Sequence, residues 1–172
     1  MKDNAHAFRA ALIGDRMKAE RLLKRYPGLI DYPVYGDSES ALHFFAVENQ
    51  IDVVNWLLAR GANPQGVAGD DSPLHNAAQL GHEDVCRALL KAGSDPNRPD
   101  DGGETALHKA SAHGYVRVIE LLLAYGADPA VAEACGQLPV DMALPRKRDE
   151  VRAVFVRHAD REPHTSPTRS SP

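Results

Sequence analysis

Eight histidines and two cysteines are the residues that could bind a metal or attack a substrate. Their spacing argues against both. His43, His75 and His108 recur at steps of 32 and 33 residues, each closing Ser-Ala-Leu-His, Ser-Pro-Leu-His or Thr-Ala-Leu-His. Equivalent positions on stacked helices lie about 8–10 Å apart, whereas zinc needs its ligands within ~2.0–2.1 Å of one point. His108 and His113, or His75 and His82, miss the i, i+4 spacing of a helical metal pair. Cys86 occupies a slot held elsewhere by Val54 and Ile119, so it reads as a small core hydrophobe. Cys135 has no basic neighbour placed to generate a thiolate. Asp70-Asp71 and Asp100-Asp101 pair carboxylates, but on loop-like sequence with no facing pocket. No phosphate loop, Gly-x-Gly-x-x-Gly or Gly-x-Ser-x-Gly occurs. The expectation is no enzyme, no metal and no cofactor.

The elements that carry these residues repeat. Ser40, Ser72 and Thr105 each open a unit. A small or hydrophobic pair follows (Phe45-Ala46, Ala77-Ala78, Ala110-Ser111), then Asn49, Gly81 or Gly114. Apolar pairs come next: Val53-Val54 with Leu57-Leu58, Val85-Cys86 with Leu89-Leu90, Val118-Ile119 with Leu122-Leu123. Each unit closes on Gly-Ala/Ser-Asn/Asp-Pro, at 61–64, 93–96 and 126–129. The frame extends back to Ala5 and forward to Leu138. Ser or Thr before Pro/Ala-Leu-His is an N-cap whose hydroxyl accepts an orphan N–H. A helix of about two turns then ends where Gly14, Asn49, Gly81 and Gly114 can turn left-handed. A second helix with one apolar face runs to the Gly-x-x-Pro stop. Such units bury that face only by stacking.

Ser72-Pro-Leu-His-Asn-Ala-Ala-Gln-Leu-Gly-His82, with Val85, Leu89-Leu90 and Gly93-Ser-Asp-Pro-Asn97, resembles the ankyrin repeat, and residues 105–128 match about as well. The resemblance implies an all-α solenoid of about five helix–turn–helix units, starting near 5, 40, 72, 105 and 138. It also implies terminal caps and β-hairpin-like fingers that form a concave face with the short helices. On this reading residues 1–158 are a single domain and 159–172 a disordered tail. It makes the repeated histidine a structural bridge between adjacent turns. Phe45 stands where the family has a small residue, so the first two units should be spaced differently. Pro145 and Lys147 should turn the last unit into a cap. Linkers 26–39 and 61–71, of unusual length and with Gly66 and Gly69 in the second, should give irregular fingers.

The 20 Lys+Arg and 24 Asp+Glu give a net charge of −4, unevenly spread. Residues 1–30 carry +4, 31–145 carry −11 and 146–172 carry +3. The acidic middle would repel a phosphate backbone, so nucleic acid is not an expected partner. No apolar run is long enough to cross a membrane and no secretory signal is evident, so no membrane partner and a cytoplasmic setting are expected. A monomer is the expected free state.

What remains is a binding surface. The two slots before the interhelical turn hold Leu12-Ile13, Val47-Glu48, Gln79-Leu80 and Ala112-His113. By the resemblance these slots face the groove, with Ile13, Val47 and Leu80 as an apolar series. Asp37, Glu39, Asp70, Asp71, Asp100, Asp101, Glu104 and Glu133 fall in successive fingers and would align as an anionic stripe suited to a basic segment. Turn chemistry alone also favours Asp there. The function expected is a non-catalytic module holding a protein partner through Ile13, Val47, Glu48, Asp70, Asp71, Gln79, Leu80, Asp100, Asp101, Glu104, Ala112 and His113. The alternative is an inhibitor or regulator that clamps an enzyme's catalytic domain. Trp56 is expected to pack on the second-helix face.

Overall fold

The structure is a computed structural model that describes residues 2–33, 39–67 and 71–161. Helices come in pairs: α1 (Lys2–Gly14) with α2 (Arg16–Arg25), α3 (Ala41–Val47) with α4 (Ile51–Leu58), and α5 (Pro73–Gln79) with α6 (Glu83–Lys91). Then come α7 (Ala106–His113) with α8 (Val116–Ala124), and a last helix, α9 (Arg148–Ala159). The short helices α3, α5 and α7 stack in one layer, continued by the 3-10 turn Pro139–Met142, and α4, α6, α8 and α9 stack in the other. Leu42, Leu74 and Leu107 of the first layer and Leu57, Leu89 and Leu122 of the second are all at most 1% exposed, so one apolar seam runs between the layers.

Each short helix starts on a reciprocal cap. In the Ser72 unit the His75 Nδ1 accepts the Ser72 backbone N–H at 3.1 Å, and the Ser72 hydroxyl lies 2.8 Å from the same nitrogen. Ser40 with His43 and Thr105 with His108 repeat the arrangement. The other ring nitrogen reaches forward. Nε2 of His43, His75 and His108 donates to the carbonyls of Asp71, Glu104 and Gln137 at 3.2, 3.1 and 3.3 Å. Those carbonyls immediately precede the next unit's opening residue, so each imidazole ties one unit to its successor. In the first unit this slot holds Phe8, and in the last it holds Asp141, whose carboxylate accepts the Leu138 N–H at 3.4 Å.

Gly81 and Gly114 take the left-handed conformation at φ 74° and 73°, and Asn49 takes it at φ 54°. Gly14 does not. It remains the last residue of a 13-residue α1, longer than the two turns expected. Non-helical Asp15 (φ −145°, ψ 81°) then stops α1 and caps α2 through Lys18 N–H at 2.9 Å. With no N-cap residue in the Ala5 slot and a side-chain cap available at Asp15, a left-handed glycine is unnecessary there.

The first two units are spaced differently, as Phe45 suggests. α1 approaches α3 less closely than α3 approaches α5 or α5 approaches α7. Phe45 is 1% exposed, its ring edge-on to Phe44 at 5.1 Å, and the Arg9 guanidinium lies 4.3 Å from the Phe44 ring centre. At the other end Pro145 confines the first element of the last unit to 3-10 turns, and α9 packs on α8 through buried Val151 and Val154. The expected irregular fingers involve residues 34–38 and 68–70, which lie outside the described residues, as do 162–172 of the tail.

Candidate functional site

The slots before the interhelical turn open to solvent. Val47 is 38% and Leu80 44% exposed, and Glu48, Gln79 and His113 are exposed, with Ala112 partly so. Ile13 is 70% exposed at the end of α1, while its neighbour Leu12 is fully buried. Helical geometry allows the difference, because adjacent positions point about 100° apart and in α1 it is Leu12 that faces the core. The turn ends reinforce the row: His82 Nε2 donates to the Val47 carbonyl at 3.0 Å, joining α3 to the next pair.

Tyr115 belongs to this surface although sequence reasoning passed over it. Its ring stacks on His113, centroids 5.7 Å apart and planes 24° from parallel, and stays 37% exposed. It also covers Gly81, where an added Cβ would lie 2.8 Å from the ring. The signal was an aromatic in a slot that holds Gln50 and His82 in the preceding units.

The acids divide into two kinds. Asp100 and Glu104 grip Lys109, whose ammonium lies 2.7 Å from the Asp100 carboxylate and also pairs with Glu104. Burial works against the charge on Lys109, and the two carboxylates overcome it, holding the ammonium above its ordinary range. Asp100 is also the hinge of its turn, its Oδ1 accepting the N–H groups of Gly102 and Glu104 at 2.9 and 2.8 Å. Glu133, in the equivalent slot, accepts the N–H groups of Cys135 and Gln137, which hold its carboxyl below the usual range. Asp71 and Asp101 stand exposed beside Ser72 and Gly102. Asp70 and Asp37 lie outside the described residues. Lys109 was missed, though a lysine stands alone in a slot filled by Phe44 and Asn76 elsewhere.

The repeated histidines, Cys86 and Asn97 have structural roles, while the Cys135 thiol is free and exposed. The ring nitrogens of the three repeated histidines are spent on caps and bridges, and burial lowers the pKa of each. Cys86 is fully buried and its thiol is pushed up to about 12 by burial. Asn97 links loops, accepting the Asp128 N–H at 2.7 Å and donating to the Gly126 carbonyl at 2.9 Å. A shallow cleft of about 340 Å³ is lined by Gly81, Gly114, Tyr115, Lys147 and Glu150, and the Lys147 ammonium pairs with Glu150 at 2.9 Å.

The profile of the family described as ankyrin repeats (3 copies) matches residues 7–100 and 42–133. The chain belongs to the ankyrin-repeat family. Among curated proteins, the probable E3 ubiquitin-protein ligase XBOS33 of Oryza sativa subsp. japonica is 39% identical over 83 residues, covering 47% of this chain and 16% of that protein. The palmitoyltransferase ZDHHC17 of Homo sapiens is 35% identical over 63 residues, covering 36% of this chain and 10% of its own length. The palmitoyltransferase Hip14 of Drosophila melanogaster is 38% identical over 64 residues, 35% of this chain and 10% of that protein. The likeness therefore spans a small part of each relative. It shows this chain as an ankyrin-repeat domain, a protein–protein interaction module whose stacked units build an extended binding surface. No helix among the described residues is long and apolar enough to cross a membrane.

Proposed function

We propose that this ankyrin domain holds a protein segment against its short-helix face. The observation that carries the reading is the row of half-open apolar side chains on consecutive units, Val47 and Leu80, continued by the stacked His113–Tyr115 pair and rimmed by Glu48, Gln79, Asp71 and Asp101. An apolar centre inside a polar rim is the anatomy of a protein interface. Asp100, Glu104 and Ala112 extend the proposed surface, with Asp100 and Glu104 contributing through the turn that Lys109 steadies; Asp70 is proposed as a binding residue from the sequence alone. The exposed carboxylates favour a segment that carries basic residues at its edges, in a cytoplasmic setting and with the domain monomeric when free.

The test is capture by the immobilised chain, identification by mass spectrometry, and titration of the purified partner. Val47→Asp/Leu80→Asp should weaken binding by an order of magnitude or more. Glu48→Gln/Asp71→Asn/Asp101→Asn should lower affinity less and flatten its dependence on salt. A partner that binds both variants as it binds the unaltered chain would move the site off this face.

A further inference from the structure

α2 is the most cationic helix among the described residues, with five basic residues and one acid. Its sequence, Arg-Met-Lys-Ala-Glu-Arg-Leu-Leu-Lys-Arg, buries Ala19 and packs Leu22 and Leu23 against the core. Met17, Lys18, Arg21, Lys24 and Arg25 are all exposed. Their spacing places them on one side of the helix. The helix's own acid, Glu20, lies at the border of that side and is paired with Arg60, accepting its Nε–H at 2.8 Å, so it does not neutralise the cations of α2. Arg16 is likewise engaged, its guanidinium 5.7 Å from the Trp56 ring centre. Asp15 at the helix start accepts the Lys18 backbone N–H and Asp3 lies in the first turn of α1, leaving the four cations of α2 dominant.

The most exposed large apolar side chains in the described residues stand at the edge of this cationic side. Ile13 is 70% and Met17 71% exposed, flanking the α1–α2 turn. Both are more exposed than Val47 at 38% or Leu80 at 44%. We propose that this end of the domain rests on an anionic lipid leaflet, with Lys18, Arg21, Lys24 and Arg25 at the headgroups and Ile13 and Met17 entering the interface. A protein interface gathers its apolar contacts into a packed centre. Cations on an amphipathic helix beside protruding apolar tips instead suit a headgroup layer, which needs no shape complementarity. Lacking a helix that crosses a bilayer does not bear on lying against one. The −11 of residues 31–145 does not forbid the contact. Units follow one another at ~8–10 Å, and the Debye length at 0.1 M salt is about 10 Å, so an end-on pose leaves most of those acids screened from the surface.

Flotation of the full chain with vesicles of about one-third phosphatidylserine tests this, at roughly 0.1 M salt. The chain should float with these vesicles and not with pure phosphatidylcholine. Lys18→Gln/Arg21→Gln/Lys24→Gln should bind on the order of a hundredfold more weakly, at about fivefold per cation. Ile13→Ser/Met17→Ser should also weaken binding, and Arg146→Gln/Arg148→Gln at the opposite end should not. Circular dichroism of each variant confirms that it is folded. Absence of flotation, unchanged binding by either α2-end variant, or an equal loss at the opposite end would overturn the proposal. Release from vesicles by duplex DNA at equal phosphate would overturn it in favour of nucleic acid.

Discussion

A repeated histidine is worth keeping neutral here. In the Ser72 unit one ring nitrogen must accept a backbone N–H while the other donates to the Glu104 carbonyl, and only the neutral Nε2–H tautomer does both. A proton added at Nδ1 would face the Ser72 N–H. Burial accordingly depresses the pKa of His43, His75 and His108 below the ordinary 6.5. The unfolded chain then binds more protons than the folded one, so the stabilisation is complete above pH 6.5 and is lost as pH falls through the lowered folded values. Urea unfolding should show stability level above neutrality and declining from about pH 6.5 downward. His75→Ala should cost about 2–4 kcal/mol, for the cap and for buried groups left unpaired, and should make that decline shallower. Stability rising between pH 7 and pH 5 would contradict the neutral bridge.

At the scale of elements, two glycines in matching slots should respond oppositely. Gly81 is left-handed and sits under the Tyr115 ring, so Gly81→Ala should destabilise by about 1–2 kcal/mol. Gly14 ends α1 with a negative φ and nothing within 4 Å of an added Cβ. Gly14→Ala should stabilise by about 0.5–1 kcal/mol, read from thermal melts of both variants. That contrast also marks how far the sequence could be read. The helix pairs in the middle units, their caps, the buried Cys86 and the altered spacing at Phe45 were legible, because periodicity and cap chemistry are local signals. The course of α1 through Gly14 was not, since a slot defined by repetition hid the local choice made by Asp15. On the proposed binding surface, the exposure of Val47, Leu80 and His113 followed from the slots. The capture of Asp100 and Glu104 by Lys109 did not, because an ion pair depends on where a finger folds back over a helix.

Across the whole molecule the histidine bridges begin at His43, and the first helix pair is attached by other means. Trp56, the sole tryptophan, lies 6.3 Å from the Phe8 ring and under the Arg60 guanidinium at 3.7 Å, and Arg60 in turn holds Glu20 of α2. Its fluorescence therefore reports the attachment of α1 and α2. In urea that signal should change before the helical circular dichroism, as the weakly packed end opens first. Coincident transitions would mean that the pair unfolds with the rest. Trp56→Ala should cost about 1–3 kcal/mol, less than the loss of a fully buried aromatic because Trp56 is only partly buried. The bridges also have a direction, each running from a histidine to a carbonyl 28 or 29 residues later. On the ribosome the donor emerges before its acceptor, so every capped helix waits for most of another unit to be made. At ~5–20 residues per second that delay is on the order of seconds. Asp141, with no N–H to pass on, is where the waiting ends.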